Sequence, residues 1–473
     1  MPRYIFPAGA VTVTDGRPRA LQFFRSPTAT RPQTDLKRVE SEYDTTPIAN
    51  GVITTDESGN YPEFAGPDDL TSLWMQVVSG SGGRTKLDST TAVSFSGPFA
   101  PLAALDAYLL EASARVDYQA ASVPNLDLTP GVDNTTAILA ARAQAASRNV
   151  PLLIPPGTWK MTDNLALWNG ARLILQGTLD IFTDHSAAGR GIVGTAVEDV
   201  VIEGGGAVAQ SNATGRHGVY GMITLLTSGG TGSGNVHVRN IRVLGGESAA
   251  VFTAKLDTFS LHNLSIKDLW ADGIHLSRGT CKGTVTGITA KNLGDDALAL
   301  VGITSESGGS VTWPQMTDIV IGDCVVTDFS SSFGSGVAIV GARRVAVSNV
   351  TVKDPAAHGV NCQSSPGIGA PAPQDVQITG VCVDSAGGQG FLIGDSTDVT
   401  ITGGTARNGA DSGIALLGST RTYVTGTKAR SNAGFGVYES SGTGNAVTAC
   451  DIGGNTAGAS QVASAVLTAC KTT

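Results

Sequence analysis

Three aspartates stand out by type and spacing in the 473-residue chain. Asp272 lies in Ala271-Asp-Gly-Ile, and the adjacent pair Asp295 and Asp296 lies in Gly294-Asp-Asp-Ala-Leu-Ala-Leu, 23 and 24 residues further on. In a chain that coils with a period near 23, residues one period apart become vertical neighbours. Their carboxylates then meet within one or two strand spacings. Three such groups do not all stay ionised cheaply, so at least one pKa rises. Glycoside hydrolysis needs that split: a protonated acid for the leaving oxygen and a carboxylate for water. An Asp-Gly by itself is more often a turn, in which Asp bonds its own backbone. The pair on the next coil is what weights Asp272 towards chemistry. Strand alternation sends one of Asp295 and Asp296 outwards and the other inwards or sideways, unless the backbone bends there.

Four further residues are candidates for holding a substrate. His275 and Arg278 come soon after Asp272, at positions where a packed or surface side chain is the plainer reading. Asp328, in Thr-Asp-Phe-Ser, lies on the next coil and is a weaker candidate, for which a solvated turn is the plainer reading. Trp313 sits in an insert over about 301–316, where it can stack on a sugar ring or fold back on the scaffold. No Gly-rich phosphate loop, nucleotide fingerprint or Ser-His-Asp order occurs. No cofactor and no metal is expected, although a groove of aspartates could receive Ca²⁺. The six cysteines form no CxxC pair and are expected to be buried free thiols.

Composition narrows the class. Glycine accounts for 61 of 473 residues, nearly twice the usual ~7%. Charged residues make up only 15%, and 31 Lys and Arg against 40 Asp and Glu give a net charge of −9. That balance speaks against a nucleic-acid partner, which would call for a basic stripe. No apolar run is long enough to span a membrane. The opening Met-Pro-Arg-Tyr-Ile-Phe-Pro lacks the apolar core of a secretory signal.

The elements that must position the aspartates are set by periodicity. Residues 1–95 read as a small β domain, with strands at Val11-Thr-Val-Thr, Val52-Ile-Thr-Thr and Leu73-Trp-Met-Gln-Val-Val. Residues 96–130 read as a helical linker. In it Leu102, Leu105, Leu109, Ala112 and Val116 keep an a/d pattern that can pack on its own domain or join three chains. A second helix is expected from Thr135 to Ser147, with Asp133 or Asn134 as N-cap. It would cover the first coil of a repeat. Along that repeat a Gly-plus-apolar signature recurs at 273, 296, 336, 359, 390, 413 and 436, with steps of 23, 40, 23, 31, 23 and 23. A unit of short strands and turns with no helix predicts an all-β parallel β-helix over 131–473.

Residues 131–163 (Gly-Val-Asp-Asn-Thr-Thr-Ala-Ile to Ile-Pro-Pro-Gly-Thr-Trp) resemble the entry segment of pectate-lyase-like right-handed β-helices, common in phage tailspikes. Ile53-Thr-Thr-Asp-Glu-Ser-Gly-Asn-Tyr-Pro-Glu-Phe and Leu73-Trp resemble the head of minor tail proteins from phages of actinobacteria. Together they imply a homotrimeric virion tail protein. Its head would join tail or baseplate proteins, and its β-helix would meet a host surface polysaccharide. Asp272-Gly-Ile and Gly294-Asp-Asp resemble the Asn-Thr-Asp-Gly-Ile and Gly-Asp-Asp-Cys motifs of polygalacturonases (glycoside hydrolase family 28). That resemblance assigns the general acid to Asp295 and water activation to Asp272 and Asp296. The family's Gly-His-Gly falls on Gly334-Ser335-Gly336 and its Arg-Ile-Lys on Asn361-Cys362-Gln363. The groups that bind galacturonate there are therefore absent here. The rival readings are a non-enzymatic fibre or adhesin on the same scaffold and a polysaccharide lyase or epimerase.

Overall fold

The computed structural model describes residues 132–473, apart from 183–190, 217–220, 229–230, 305–311 and 313, together with a set of short strands before residue 132. The chain divides into two compact units, Met1–Ala114 and Arg115–Thr473. The strand expected at 11–14, the helix expected within 96–130 and Trp313 lie outside the described residues.

The first unit is built from antiparallel strands. Thr91–Val93, Arg3–Phe6, Phe64–Ala65, Lys37–Ser41 and Asp44–Pro47 form one sheet, and Thr85–Asp88, Ser72–Val77, Ala20–Phe24 and Val52–Thr54 form another. Leu21, Phe23, Ile53, Phe64 and Met75 are buried. The rings of Phe23 and Phe64, one from each sheet, meet at 4.6 Å.

The second unit is a right-handed parallel β-helix. One coil runs through Leu256–Leu269, which bends from a first sheet into a second, and then Ile274–Ser277 in a third. The next coil repeats this as Cys281–Thr286, Thr289–Leu293 and Leu298–Val301. The one after it uses Thr317–Gly322, Val325–Phe329 and Val337–Val340. Strands alternate inward apolar with outward residues. Thus Ile274, Leu298, Val337, Val360, Phe391, Ile414 and Val437 pair in register. They form one buried ladder inside the solenoid.

The corners explain the Gly, Asn and Asp content. Between the first and second sheets the backbone turns through left-handed φ at Asn240, Asn263, Gly287, Asp323, Asn349, Gly380 and Gly403. These are the residue types that tolerate it. Their side chains also stack: Asn263 donates to Asn240 Oδ1 at 2.9 Å and Asn349 to Asp323 Oδ1 at 3.2 Å.

Entry to the third sheet explains the recurring glycine. A Cβ at Gly336 or Gly359 would lie 2.3 Å from a methyl of Val352 or Val383. The register corrects one position of the sequence frame. Ala297, not Asp296, matches Gly273 and Gly336, because Ile274 pairs with Leu298 and Leu298 with Val337. The repeat is one residue longer at that coil than the motif spacing implied.

Helix α1, Thr135–Arg148, starts at Asn134 and extends one residue past its expected end. Asn134 makes no side-chain cap bond. Asp133 instead accepts the Thr135 N–H at 2.9 Å. Ile138, Ala141 and Ala145 are buried, and Arg142 ties the helix to the Ala166 and Leu167 carbonyls. The first coil is thereby covered, which removes an open strand edge. No helix among the described residues is long and apolar enough to cross a membrane.

Candidate functional site

The aspartates occupy the bend from the second sheet into the third. Asp272 and Asp296 stand two residues before Ile274 and Leu298, which pair in register. The bends are fixed by backbone bonds between coils: Gly273 N–H donates to the Asp296 carbonyl at 3.0 Å, and Ala250 N–H to the Asp272 carbonyl at 3.2 Å. Because Asp295 and Asp296 lie in a bend rather than a strand, alternation does not separate them. One carboxylate oxygen from each of Asp272, Asp295 and Asp296 lies within 4.8 Å of the others.

Each carboxyl has a different partner. His275 donates from Nδ1 to Asp272 Oδ2 at 2.8 Å. Asp296 Oδ1 accepts the Ser335 N–H at 2.7 Å. Asp295 pairs with the Arg216 guanidinium. Burial and the Asp272 charge push the Asp296 carboxyl up to about 7. Burial and Asp272 also raise Asp295, while Arg216 pulls it back. The corner carboxylates behave oppositely. Asp318, half-buried and held by both arms of the Arg344 guanidinium at 2.7 and 2.8 Å, is pushed down to about 2. The site is therefore where this chain crowds and buries negative charge instead of neutralising it at the surface.

Nothing in the sequence pointed to Arg216, 79 residues before Asp295. Two acids hold its loop. Asp180, itself buried, accepts the Ser211 N–H at 2.9 Å and hydroxyl at 2.7 Å. Buried Glu247 accepts the Thr214 N–H at 3.1 Å, and its own N–H donates to Gln210 at 3.1 Å. The sequence also carried no sign of Phe252. Its ring stacks on His275 at 5.1 Å and 20°, and the Arg278 guanidinium lies 5.9 Å from the same ring. Phe252 pairs in register with His275 one coil on, so both face outwards.

The remaining candidates separate. His275 and Arg278 join the site through Asp272 and Phe252. Asp328 does not join the carboxylate trio: it stacks in a corner row with Asp268, Asn292 and Asp354, all at left-handed φ, and pairs with Lys291 at 3.2 Å. Trp313 lies outside the described residues. The trio is also the one place among the described residues where three potential metal-ligand atoms of Asp, Glu, His or Cys converge. Each of its carboxyls is already engaged by a neighbour on the chain.

One family model agrees with the architecture: that described as "Right handed beta helix region", which matches residues 335–472. Among solved structures, the chain is similar to the catalytic unit of a thermostable GH87 alpha-1,3-glucanase from Streptomyces thermodiastaticus. Identity is 17% and the TM-score 0.45, over 94% of this chain and 87% of that one. It is also similar to a family 28 exopolygalacturonase from Yersinia enterocolitica (11% identity, TM-score 0.44, covering 100% and 97%). A third similar structure is the A-module of the mannuronan C-5 epimerase AlgE6 from Azotobacter vinelandii (13%, TM-score 0.45, covering 74% and 99%). Likenesses at this level carry nothing about chemistry. No curated protein matches the chain.

Proposed function

We propose that this chain binds a polysaccharide and hydrolyses its glycosidic bonds at Asp272, Asp295 and Asp296. The observation that carries the reading is the convergence of three carboxyl oxygens within 4.8 Å, two of the carboxyls raised above their ordinary range by burial and by Asp272. A site with a proton held on one carboxyl beside an ionised neighbour has both groups that hydrolysis needs. Asp295, the more accessible of the raised pair, delivers the proton to the leaving oxygen. Asp272 and Asp296 hold and activate water, and the His275 bond keeps Asp272 in place.

The Arg216 ion pair favours a second assignment within the same reaction. A guanidinium on Asp295 pulls that group towards its ionised form, and in this assignment Asp296 supplies the proton. The pH profiles of the Asn variants separate the two.

The wider setting is a tailspike-like homotrimer acting at a host surface, with the first unit as its attachment head. This setting rests on the sequence resemblance of 53–74 and 131–163. Sedimentation at close to three times 48.1 kDa supports it, and a monomer counts against it. The test of the chemistry is incubation with candidate surface polysaccharides. New reducing ends without ultraviolet absorbance support hydrolysis. Absorbance from an unsaturated product means a lyase, and neither signal with retained binding means an adhesin.

A further inference from the structure

We propose that Trp270 and Phe333 are stacking platforms for the sugar rings of a neutral glycan, one on each side of the aspartates along the solenoid axis. This deepens the proposed glycan reading and rests on it.

The register places them. Ile274, Leu298 and Val337 pair in sequence, as do Leu269, Leu293 and Phe329. Trp270 and Gly294 therefore share one row on consecutive coils, and Phe333 stands on the next coil in a bend three residues longer than theirs. Close backbone approaches agree. A Cβ on Gly294 would lie 2.3 Å from the Trp270 carbonyl oxygen, and one on Gly334 would lie 2.5 Å from that of Asp295. Gly294 therefore leaves a gap next to Trp270, with Phe333 in the bend of the following coil. Two strand spacings separate those residues by about 10 Å along the axis. Asp295 comes directly after the gap.

Both aromatics face solvent, Trp270 at 46% and Phe333 at 60% exposure. A single exposed aromatic needs no explanation. Two on alternate coils, bracketing the half-buried Asp295 and Asp296, form a surface with apolar faces outside and hydrogen-bonding groups between. A pyranose presents the complementary pattern: an apolar C–H face for a ring and hydroxyls for Asp295 and its neighbours.

The charge pattern selects a neutral chain. The guanidinium at the three carboxyls, Arg216, is already engaged by Asp295, and Arg278 lies against Phe252 instead. A uronate set against the carboxyls would meet their negative charge. The neighbouring row continues beyond Asp296 as Ser335, His358 and Gln389. Burial holds His358 below its ordinary range, so this row carries no added positive charge.

The test is affinity electrophoresis through gels containing arabinogalactan, dextran or polygalacturonate. Wild type is compared with Trp270→Ala, Phe333→Ala and Tyr423→Ala, the last an aromatic equally exposed (46%) on the first sheet. The expected result is retardation by a neutral glycan, weakened on the order of tenfold in each of the first two variants and unchanged in Tyr423→Ala. Trp270→Tyr should restore most of the loss, which separates stacking from a folding defect. Wild-type retardation in Trp270→Ala and Phe333→Ala overturns the platforms and leaves the glycan reading standing. Retardation by polygalacturonate alone overturns the neutral class. A wild type retarded by none of the three removes the glycan reading and this inference with it.

Discussion

Asp272 and Asp296 occupy the same position on consecutive coils, two residues before the paired Ile274 and Leu298. Parallel stacking alone therefore sets two carboxylates one above the other, and their mutual repulsion is a consequence of the register. Asp295 joins them only because the chain bends there.

Asp295→Asn should lower hydrolysis on the order of 10²–10⁴-fold, the usual share of general acid–base catalysis. If Asp295 delivers the proton, Asp296→Asn keeps the alkaline limb of the pH profile. If Asp296 does, its replacement abolishes that limb. Full activity in Asp295→Asn on a glycan the wild type cleaves would remove its acid role.

Stability should fall as pH rises from about 4 to above 7. Asp296 has a folded pKa near 7 against an ordinary value of 3.8. In that interval the native state holds more protons than the unfolded chain, so the slope of stability with pH is negative. The effect is absent below the unfolded pKa and complete above the folded one. Asp296→Asn should remove it and raise the melting temperature at pH 8 on the order of a few degrees. Scanning calorimetry at pH 5 and pH 8 checks the sign. An exposed carboxylate would have little effect on folding; Asp296 differs because desolvation raises it.

Arg216→Gln should raise the Asp295 carboxyl further, because the guanidinium is what pulls it down. Carbon-detected NMR titration of the Asp295 carboxyl reads this without any substrate. An unchanged titration means that the pair does not form in solution.

Gly336→Ala should destabilise the solenoid by about 1–3 kcal/mol, the range for forcing atoms into a filled site. Its Cβ would lie 2.3 Å from a Val352 methyl. The chemical-denaturation midpoint measures it. An unshifted midpoint would show that Val352 can move aside.

Native thiol labelling should start at Cys382, which is exposed. Cys324 and Cys362 are buried, with burial pushing their thiols up to about 11 and 12, so they should react only after unfolding. Of the six thiols expected to be buried, Cys324, Cys362 and Cys450 are. Rapid labelling of Cys362 in the folded protein would contradict its place in the core.

Much of the scaffold was legible because its rules are local. A left-handed corner takes Gly, Asn or Asp. A crowded entry to the third sheet takes Gly. A strand buried on one face alternates. Each rule leaves a mark at a fixed interval, so the solenoid, its period and the capping helix could be read directly. Asp272, Asp295 and Asp296 were readable for the same reason, since one period converts sequence distance into vertical contact. Asp328 shows the limit: the same period that brings residues together also builds corner ladders, and spacing does not say which row a residue occupies.

The sequence by itself determined the repeat, the sheet-forming and turn-forming positions, and the aspartates that one coil period would superpose. Only the tertiary structure decided what surrounds them. Arg216 reaches Asp295 across 79 residues, from a loop held by Asp180 and Glu247. Trp270 and Phe333 come two coils apart, a relation that the insert over about 301–316 and the longer bend before Val337 hide from any count of residues. These contacts depend on the lengths of loops between coils and on how far each side chain is withdrawn from water. Neither quantity has a periodic signature. The charge state of the aspartates depends on both, because burial and the nearest guanidinium set it.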